Sequence, residues 1–343
     1  MAHASHPPGP ARPAERLAPV VARVPLVPGA IERRDPLLRQ QGHDRLAPGL
    51  LTGQLEGRLV ALTPIHVDAG GIERTAHVVP ALAETVPLLR PCLRLQGVPV
   101  VPGSTLKGAV RSVAEAIAPA CLGVRARATA GLHVPALPPA LQALDTCRRR
   151  AGRPADLCIA CRLFGAVGYQ GRVRFTDAQL QEGGTTVMGA PAAPAPRAPR
   201  GALGRQVYRH GHPAAGPVPL EVCPVGSTFN LVIHFVNLQP AELGLLLTAL
   251  GVGLRPFALK LGGYKPACFG SVQVEVIRLA VDDPLARYRR YPEEAVEAPA
   301  TAPDLTPYLQ ALRASDLLLM DRLERVAGLL RYPGDGTCGP GEG

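Results

Sequence analysis

The spacing of four cysteines near the middle of the chain constrains its fold more than any other feature. These residues are Cys121, Cys147, Cys158 and Cys161, arranged as Cys-x25-Cys-x10-Cys-x2-Cys. Structural zinc takes four thiolate or imidazole ligands in a tetrahedron, and a Cys-x-x-Cys turn supplies two of them from one short segment. The spacing therefore predicts a closed, structural zinc site with these four ligands.

The segment between these cysteines, residues 122–157, is rich in proline and arginine and has few residues that would build a core. A bound metal supplies ordering free energy that such a loop lacks. We therefore expect a zinc-binding insertion at about 121–161. Two alternatives stay open: His133 replaces Cys121 as a ligand, or the cysteines are free thiols.

The charge of the chain indicates the kind of partner it binds. Its 37 basic and 27 acidic residues give a net charge of +10, which favours a polyanion such as nucleic acid, although a solubilising surface is the alternative. Aromatic residues make up 4% of the chain and tryptophan is absent, so a surface that grips bases by stacking is not expected. We expect nucleic acid to be held through its phosphates.

The first residues and the apolar runs of the chain indicate the cellular compartment in which we expect the protein. Residues 1–13 are polar and proline-rich, unlike a secretory signal, and the apolar run at 243–254 is too short and glycine-broken to span a bilayer. We therefore expect a cytoplasmic protein with reduced thiols and no membrane partner.

The segment Val101–Ser112 is the first candidate phosphate site. Ser104 or Thr105 is expected to cap a helix on which Lys107 and Arg111 lie four residues apart on one face. A helix N-terminus favours anions, so Ser104, Lys107 and Arg111 are predicted to bind phosphate. An ordinary solvated helix face is the alternative.

The segment Leu259–Gly270 is the second candidate. Gly262 and Gly263 allow backbone amides to approach a phosphate closely, and Lys260 and Lys265 flank them. No Gly-Lys-Ser/Thr follows and the loop precedes a strand, so it is not a P-loop. We expect it to hold an RNA backbone.

The order of patterns along the chain predicts the fold class. Strand, helix, strand occurs twice, which is compatible with an α+β, ferredoxin-like core with large insertions. We expect a mostly disordered Pro/Arg-rich arm at 1–52 with a short ordered piece near 31–38, and a core domain at 53–281. The segment at about 181–216 is expected to project as a hairpin or a flexible loop, and 282–343 is expected to form a linker and a helical tail.

Five motifs in consistent order resemble the RAMP superfamily of CRISPR-associated proteins, and within it the backbone subunits of type III effector complexes. They are Ala61–Val67, Val101–Arg111, Cys158–Gly165, Gly171–Ala178 and Gly262–Lys265. The resemblance covers about residues 55–281. It implies a subunit for antiviral defence that binds a CRISPR guide RNA, contacts target RNA and polymerises with other RAMP subunits. The resemblance further implies an RRM-like core with a thumb-like insertion at about 181–216, and it likens the four cysteines to the zinc knuckle of some such subunits.

The resemblance leaves catalysis open. Catalytic members cut target RNA near an acidic residue in the loop after the first strand, where this chain has Asp68, whose alternative role is that of a turn residue. Three hypotheses follow: a structural guide-binding subunit, an RNA endonuclease subunit that uses Asp68, and a free-standing processing nuclease that uses His66.

Overall fold

The computed structural model describes residues 21–26, 46–122, 147, 157–192, 204–282, 303–333 and 336–337. The α-helices of these residues are α1 (Thr75–Val78), α2 (Gly103–Ile117), α3 (Ile159–Phe164), α4 (Pro240–Ala249), α5 (Thr306–Arg313) and α6 (Met320–Leu329). The strands of the first half are β1 (Val21–Pro25), β2 (Leu51–Ala61), β3 (Glu73–Arg74), β4 (Leu88–Leu89), β5 (Arg94–Leu95), β6 (Val98–Val101), β7 (Val173–Phe175) and β8 (Ala178–Glu182). Those of the second half are β9 (Thr186–Ala190), β10 (Gly204–Tyr208), β11 (Gly211–His212), β12 (Val218–Val222), β13 (Thr228–Leu238), β14 (Leu259–Lys260), β15 (Ser271–Asp282) and β16 (Gly336–Thr337).

An eight-stranded antiparallel sheet organises the molecule. Its order is β14-β15-β2-β13-β8-β6-β5, and β7 also pairs with β13. Along β13, Phe229, Leu231, Ile233 and Phe235 are buried while the residues between them are not, so this strand turns one face to the core. The predicted α+β class and the alternating strand near 227–237 are confirmed.

Helices cover the buried face of the sheet. In α2, the buried side chains of Leu106, Val110 and Ile117 join the same apolar core as the inward residues of β13. Helix α4 begins with Pro240 and a reciprocal capping box between Gln239 and Glu242, and it is buried over most of its surface. None of the helices in the described part of the chain is long and apolar enough to cross a membrane.

The predicted helical tail differs from the structure, because residues 305–330 form two helices rather than one. The hydroxyl of Ser315 donates to the Leu312 carbonyl at 2.7 Å and accepts from the Leu317 amide at 3.3 Å, which replaces helical hydrogen bonds and ends α5. Helix α5 packs on α4, and α6 packs on α2, where the Leu319 amide donates to the Ile117 carbonyl at 2.8 Å. The described tail therefore docks on the body of the same chain.

Within the segment at 181–216, which is predicted to project as a hairpin or a flexible loop, the structure describes residues 181–192 and 204–216. Its described residues include β9, which pairs with β12, and β10, which pairs with β1. Strand β1 lies in the arm at 1–52, whereas the ordered piece expected near 31–38 lies outside the described residues. Backbone pairing with distant strands orders these short segments, and local apolar pattern does not encode such pairing.

Candidate functional site

The structure brings the four predicted cysteine ligands into one buried cluster. Their sulfur atoms all lie within 4.8 Å of one another. A tetrahedron with metal–sulfur bonds of about 2.3 Å has sulfur–sulfur separations of about 3.8 Å. The sulfurs of Cys121 and Cys161 are 3.5 Å apart, close to that separation. The arrangement therefore fits a metal ion with four thiolate ligands.

Local backbone structure positions these sulfurs. Cys158 immediately precedes α3 and Cys161 lies in its first turn, so one short helix presents two ligands. The amide of Cys158 donates to the sulfur of Cys147 at 3.3 Å, and the amide of Cys121 donates to the sulfur of Cys158 at 3.4 Å. Such donors stabilise thiolates. The alternative ligand His133 lies outside the described residues.

The cysteines also share hydrogen bonds among themselves. The contact with Cys147 lowers the pKa of the Cys121 thiol, whereas the contact with Cys121 raises the pKa of the Cys161 thiol. One thiolate in such a buried group therefore opposes the ionisation of its neighbours. A bound divalent cation would offset the repulsion among four thiolates.

The N-terminus of α2 is fixed by a contact that the sequence did not suggest. The expected cap by Ser104 or Thr105 is wrong, because neither side chain caps the helix. The carboxylate of Asp177 instead accepts a hydrogen bond from the Gly103 amide at 2.7 Å. A Cβ atom on Gly103 would lie 2.2 Å from the Phe175 carbonyl oxygen, so only glycine allows this close approach. The start of α2 is thus pressed against the end of β7.

Lys107 and Arg174 lie on α2 and β7, two elements that pack together at this helix end. Arg174 is exposed on β7, and Lys107 is half-buried on α2. Burial lowers the pKa of Lys107, and the positive charges of Arg111 and Arg174 lower it further. Among the residues that the structure describes, neither Lys107 nor Arg174 forms an ion pair with a carboxylate. Sequence reasoning missed Arg174, although it lies within the motif Gly171–Ala178.

Arg111 lies on the same helix as Lys107 but has internal partners. Its guanidinium donates to Glu115 at 2.8 Å and to the Gly165 carbonyl at 2.8 Å, and one nitrogen lies 3.6 Å from the sulfur of Cys161. Ser104 is exposed at the start of the helix. The structure therefore leaves Ser104 exposed and Lys107 half-buried on α2, and it directs Arg111 towards the cysteines.

The glycine-rich loop packs against the protein itself. Gly262 has a positive φ of 76°, and a Cβ atom there would lie 2.3 Å from the carbonyl oxygen of His66. The amide of Gly263 donates to that same oxygen at 2.8 Å. Glycine is therefore needed at 262 for contact with the segment that follows β2, whereas Gly263 contributes its backbone amide.

The two lysines of the loop differ in exposure. Lys260 is 7% exposed, and its ammonium donates to the Phe269 carbonyl at 3.1 Å. Burial and the neighbouring charge of Lys265 lower the pKa of Lys260 to about 7. Lys265 is half-buried, and burial lowers its pKa as well. Of the pair, only Lys265 is partly open to solvent.

Asp68 lies in a turn in which both carboxylate oxygens have partners. One oxygen accepts from the Gly70 amide at 2.8 Å and the other accepts from Arg90 at 3.0 Å. These are the contacts of a turn-forming aspartate. The partner Arg90 was not identified from the sequence.

His66 is fully buried in a polar cluster. Its Nδ1 lies 2.7 Å from the Glu221 carbonyl oxygen and 3.9 Å from the sulfur of Cys92. Burial lowers the pKa of His66, but the hydrogen bonds with Cys92 and Glu221 outweigh it, so the pKa is raised. The Glu221 carboxylate accepts from Arg94 and from the Cys92 amide. This surrounding network was not evident from the sequence.

Comparison with known proteins identifies a family match that covers most of the residues described above. No curated protein matches the chain. A family model described as the RAMP superfamily matches residues 58–263, a span that begins in β2, includes the cysteine cluster and the start of α2, and ends in the glycine-rich loop. The chain therefore belongs to the RAMP superfamily, and this membership indicates a CRISPR-associated, RNA-binding role.

Proposed function

We propose that this chain is a guide-RNA-binding subunit of a type III CRISPR RNA-guided interference complex, and that its core at 53–281 is RRM-like. The observation that carries the proposal is the packing of α2 against β7 at Gly103 and Phe175, because Lys107 lies on the first of these elements and Arg174 on the second. Two neighbouring cations repel each other, and an RNA phosphate relieves that repulsion. Family membership supplies the class of ligand.

The helix end adds to this attraction. Amides in the first turn of a helix carry partial positive charge and favour an anion by up to about 1 kcal/mol at an exposed site. Ser104 is exposed there and offers a hydroxyl donor. We propose that Ser104, Lys107 and Arg174 contact consecutive parts of the guide backbone, with base pairing left to read sequence.

The glycine-rich loop has a supporting part in this proposal. Lys265, half-buried beside the loop, is a further phosphate contact. Lys260, Gly262 and Gly263 make contacts within the protein, so we propose that they hold the loop in shape for RNA. The assignment of Arg111 to RNA stays a prediction, because its guanidinium contacts Glu115, Gly165 and Cys161 within the protein.

We propose that the metal is zinc and that its role is structural. Four sulfur ligands suit zinc and complete its tetrahedron, which leaves no position for a reacting water. Bound zinc would neutralise part of the charge of the four thiolates. Cys121, Cys147, Cys158 and Cys161 would then tie the end of α2 to α3 and fix the insertion at about 121–161.

We do not extend the proposal to RNA cleavage. The oxygens of Asp68 are engaged by Gly70 and Arg90, and His66 is fully buried. The experiment that tests the guide-binding proposal is RNA affinity measured for substitutions of Lys107 and Arg174 at several salt concentrations.

A further inference from the structure

We propose that Arg111 and Arg205 form an outer shell around the cysteine site, and that Glu115 between them couples metal occupancy to the docking of β10 and β1. This inference rests on the metal site of the proposed function. It concerns residues of three separate segments that no local sequence pattern connects.

Arg111 joins the ligand-bearing helix to α2. One of its nitrogens lies 3.6 Å from the sulfur of Cys161, and another donates to the carbonyl of Gly165, the residue that follows α3. Its Nε donates to Glu115 at 2.8 Å. Arg111 therefore contacts a ligand and the end of the helix that presents two ligands.

Arg205 approaches the same site from β10. It donates to the second carboxylate oxygen of Glu115 and to the carbonyl oxygens of Cys121 and Ala120. Its side chain is 11% exposed and that of Glu115 is 9% exposed, so the ion pair is shielded from water. A continuous path of contacts thus runs from Cys161 through Arg111, Glu115 and Arg205 to Cys121.

The charge of a filled site explains why two arginines lie beside it. Four thiolates around a divalent cation carry a net charge of about −2, which is costly to bury without compensation. Arg111 and Arg205 with the Glu115 carboxylate between them carry a net charge of +1, which offsets part of that charge, and Glu115 orients both guanidinium groups by accepting with a different oxygen from each. Outer-shell donors of this kind strengthen metal binding, often by about 10- to 100-fold.

The same contacts extend the effect of the metal beyond its own insertion. Strand β10 pairs with β1 from Val21–Tyr208 to Pro25–Gly204, and Val24 of β1 is buried in the main core. The metal would fix the position of Cys121, whose carbonyl oxygen accepts a hydrogen bond from Arg205, so removal of the metal would release one anchor of the Arg205 side chain. We therefore expect β10 and β1 to loosen together when the site is emptied.

The test compares the full-length wild type with the variants Arg111→Met and Arg205→Met. The matched control is Arg255→Met, because Arg255 forms an exposed ion pair with Glu324. The first readout is the rate at which bound zinc passes to a chromogenic chelator. The second is hydrogen exchange at 21–25 and 204–208, measured with zinc bound and after its removal. Glu115→Gln, which keeps the side-chain shape, serves as a further variant.

We expect zinc release at least about 10-fold faster in Arg111→Met and Arg205→Met, and an unchanged rate in Arg255→Met. We also expect faster exchange in both strands of wild type after zinc removal, and in zinc-bound Arg205→Met and Glu115→Gln. Wild type that binds one equivalent of zinc, with unchanged rates of release and exchange in the variants, would overturn this inference alone. A wild-type protein that binds no zinc would overturn the proposed metal site as well.

Discussion

The carboxylate of Asp177 accepts a hydrogen bond from the amide of Gly103 at 2.7 Å, which joins the end of β7 to the first residue of α2. Because side-chain acceptors at a helix N-terminus contribute about 1 kcal/mol, we expect Asp177→Ala to lower the free energy of unfolding by about that amount. Urea denaturation measures it. The exposed Asp316 provides the control, and an equal decrease in Asp316→Ala would contradict a specific role for Asp177.

Lys107 and Arg174, the two cations near this helix end, should bind RNA through its phosphate groups. Removing one phosphate contact to a single strand reduces the slope of log affinity against log salt by about 0.7. We expect Lys107→Ala and Arg174→Ala each to weaken RNA binding and to reduce the slope in this way, as measured by titration with repeat-derived RNA. Arg255→Ala should match wild type. Unchanged slopes in both variants would argue against this surface as the RNA-binding site.

The two glycines of the loop should differ in their tolerance of a side chain. Gly262→Ala places a Cβ 2.3 Å from the His66 carbonyl oxygen in a left-handed backbone, so we expect a decrease of about 1–3 kcal/mol in the free energy of unfolding. A Cβ on Gly263 would meet its nearest atom at 3.5 Å, an ordinary contact. Gly263→Ala should therefore be nearly neutral in thermal and urea denaturation. Equal stability of the two variants would refute this account of the loop.

The buried ammonium of Lys260 should make stability depend on pH. Its pKa is about 7 in the folded protein against an ordinary 10.5, so between these values the unfolded chain binds a proton that the folded chain does not. The free energy of unfolding should therefore rise with pH across this window, by at most about 1.4 kcal/mol per unit from this group.

Lys260→Met keeps most of the side-chain volume and removes the proton. We expect its stability, relative to wild type, to be most favourable near pH 7 and to decline towards pH 10 in urea denaturation at a series of pH values. The half-buried Lys265 serves as the comparison, and Lys265→Met should show a smaller change. Parallel curves for Lys260→Met and wild type would rule out this titration.

The residue types and their spacing along the chain predicted part of the fold and of the candidate site. A Cys-x-x-Cys turn with two further cysteines predicts a single cluster, and the structure brings Cys121, Cys147, Cys158 and Cys161 together in this way. Alternation predicted β13, and helical spacing predicted α2. Both elements depend on residues close together in the chain.

Contacts between distant segments were not predictable in the same way. Asp177 caps a helix that begins 74 residues earlier, and Arg205 reaches Glu115 across 90 residues. Gly262 looked like a phosphate-binding glycine, but in the structure its nearest neighbour is the carbonyl of His66. Such contacts follow from strand pairing and packing, which the local pattern of apolar residues does not specify.

The central claim is that this chain holds a CRISPR guide RNA, and the most direct measurement is sequencing of the RNA that copurifies with it. The chain should be expressed with other RAMP subunits and a CRISPR array, then isolated through a tag on this chain. We predict repeat-derived guides in the wild-type complex and a marked reduction with the double substitution Lys107→Ala and Arg174→Ala. Recovery of the assembled complex without enrichment of repeat-derived RNA would contradict the proposal.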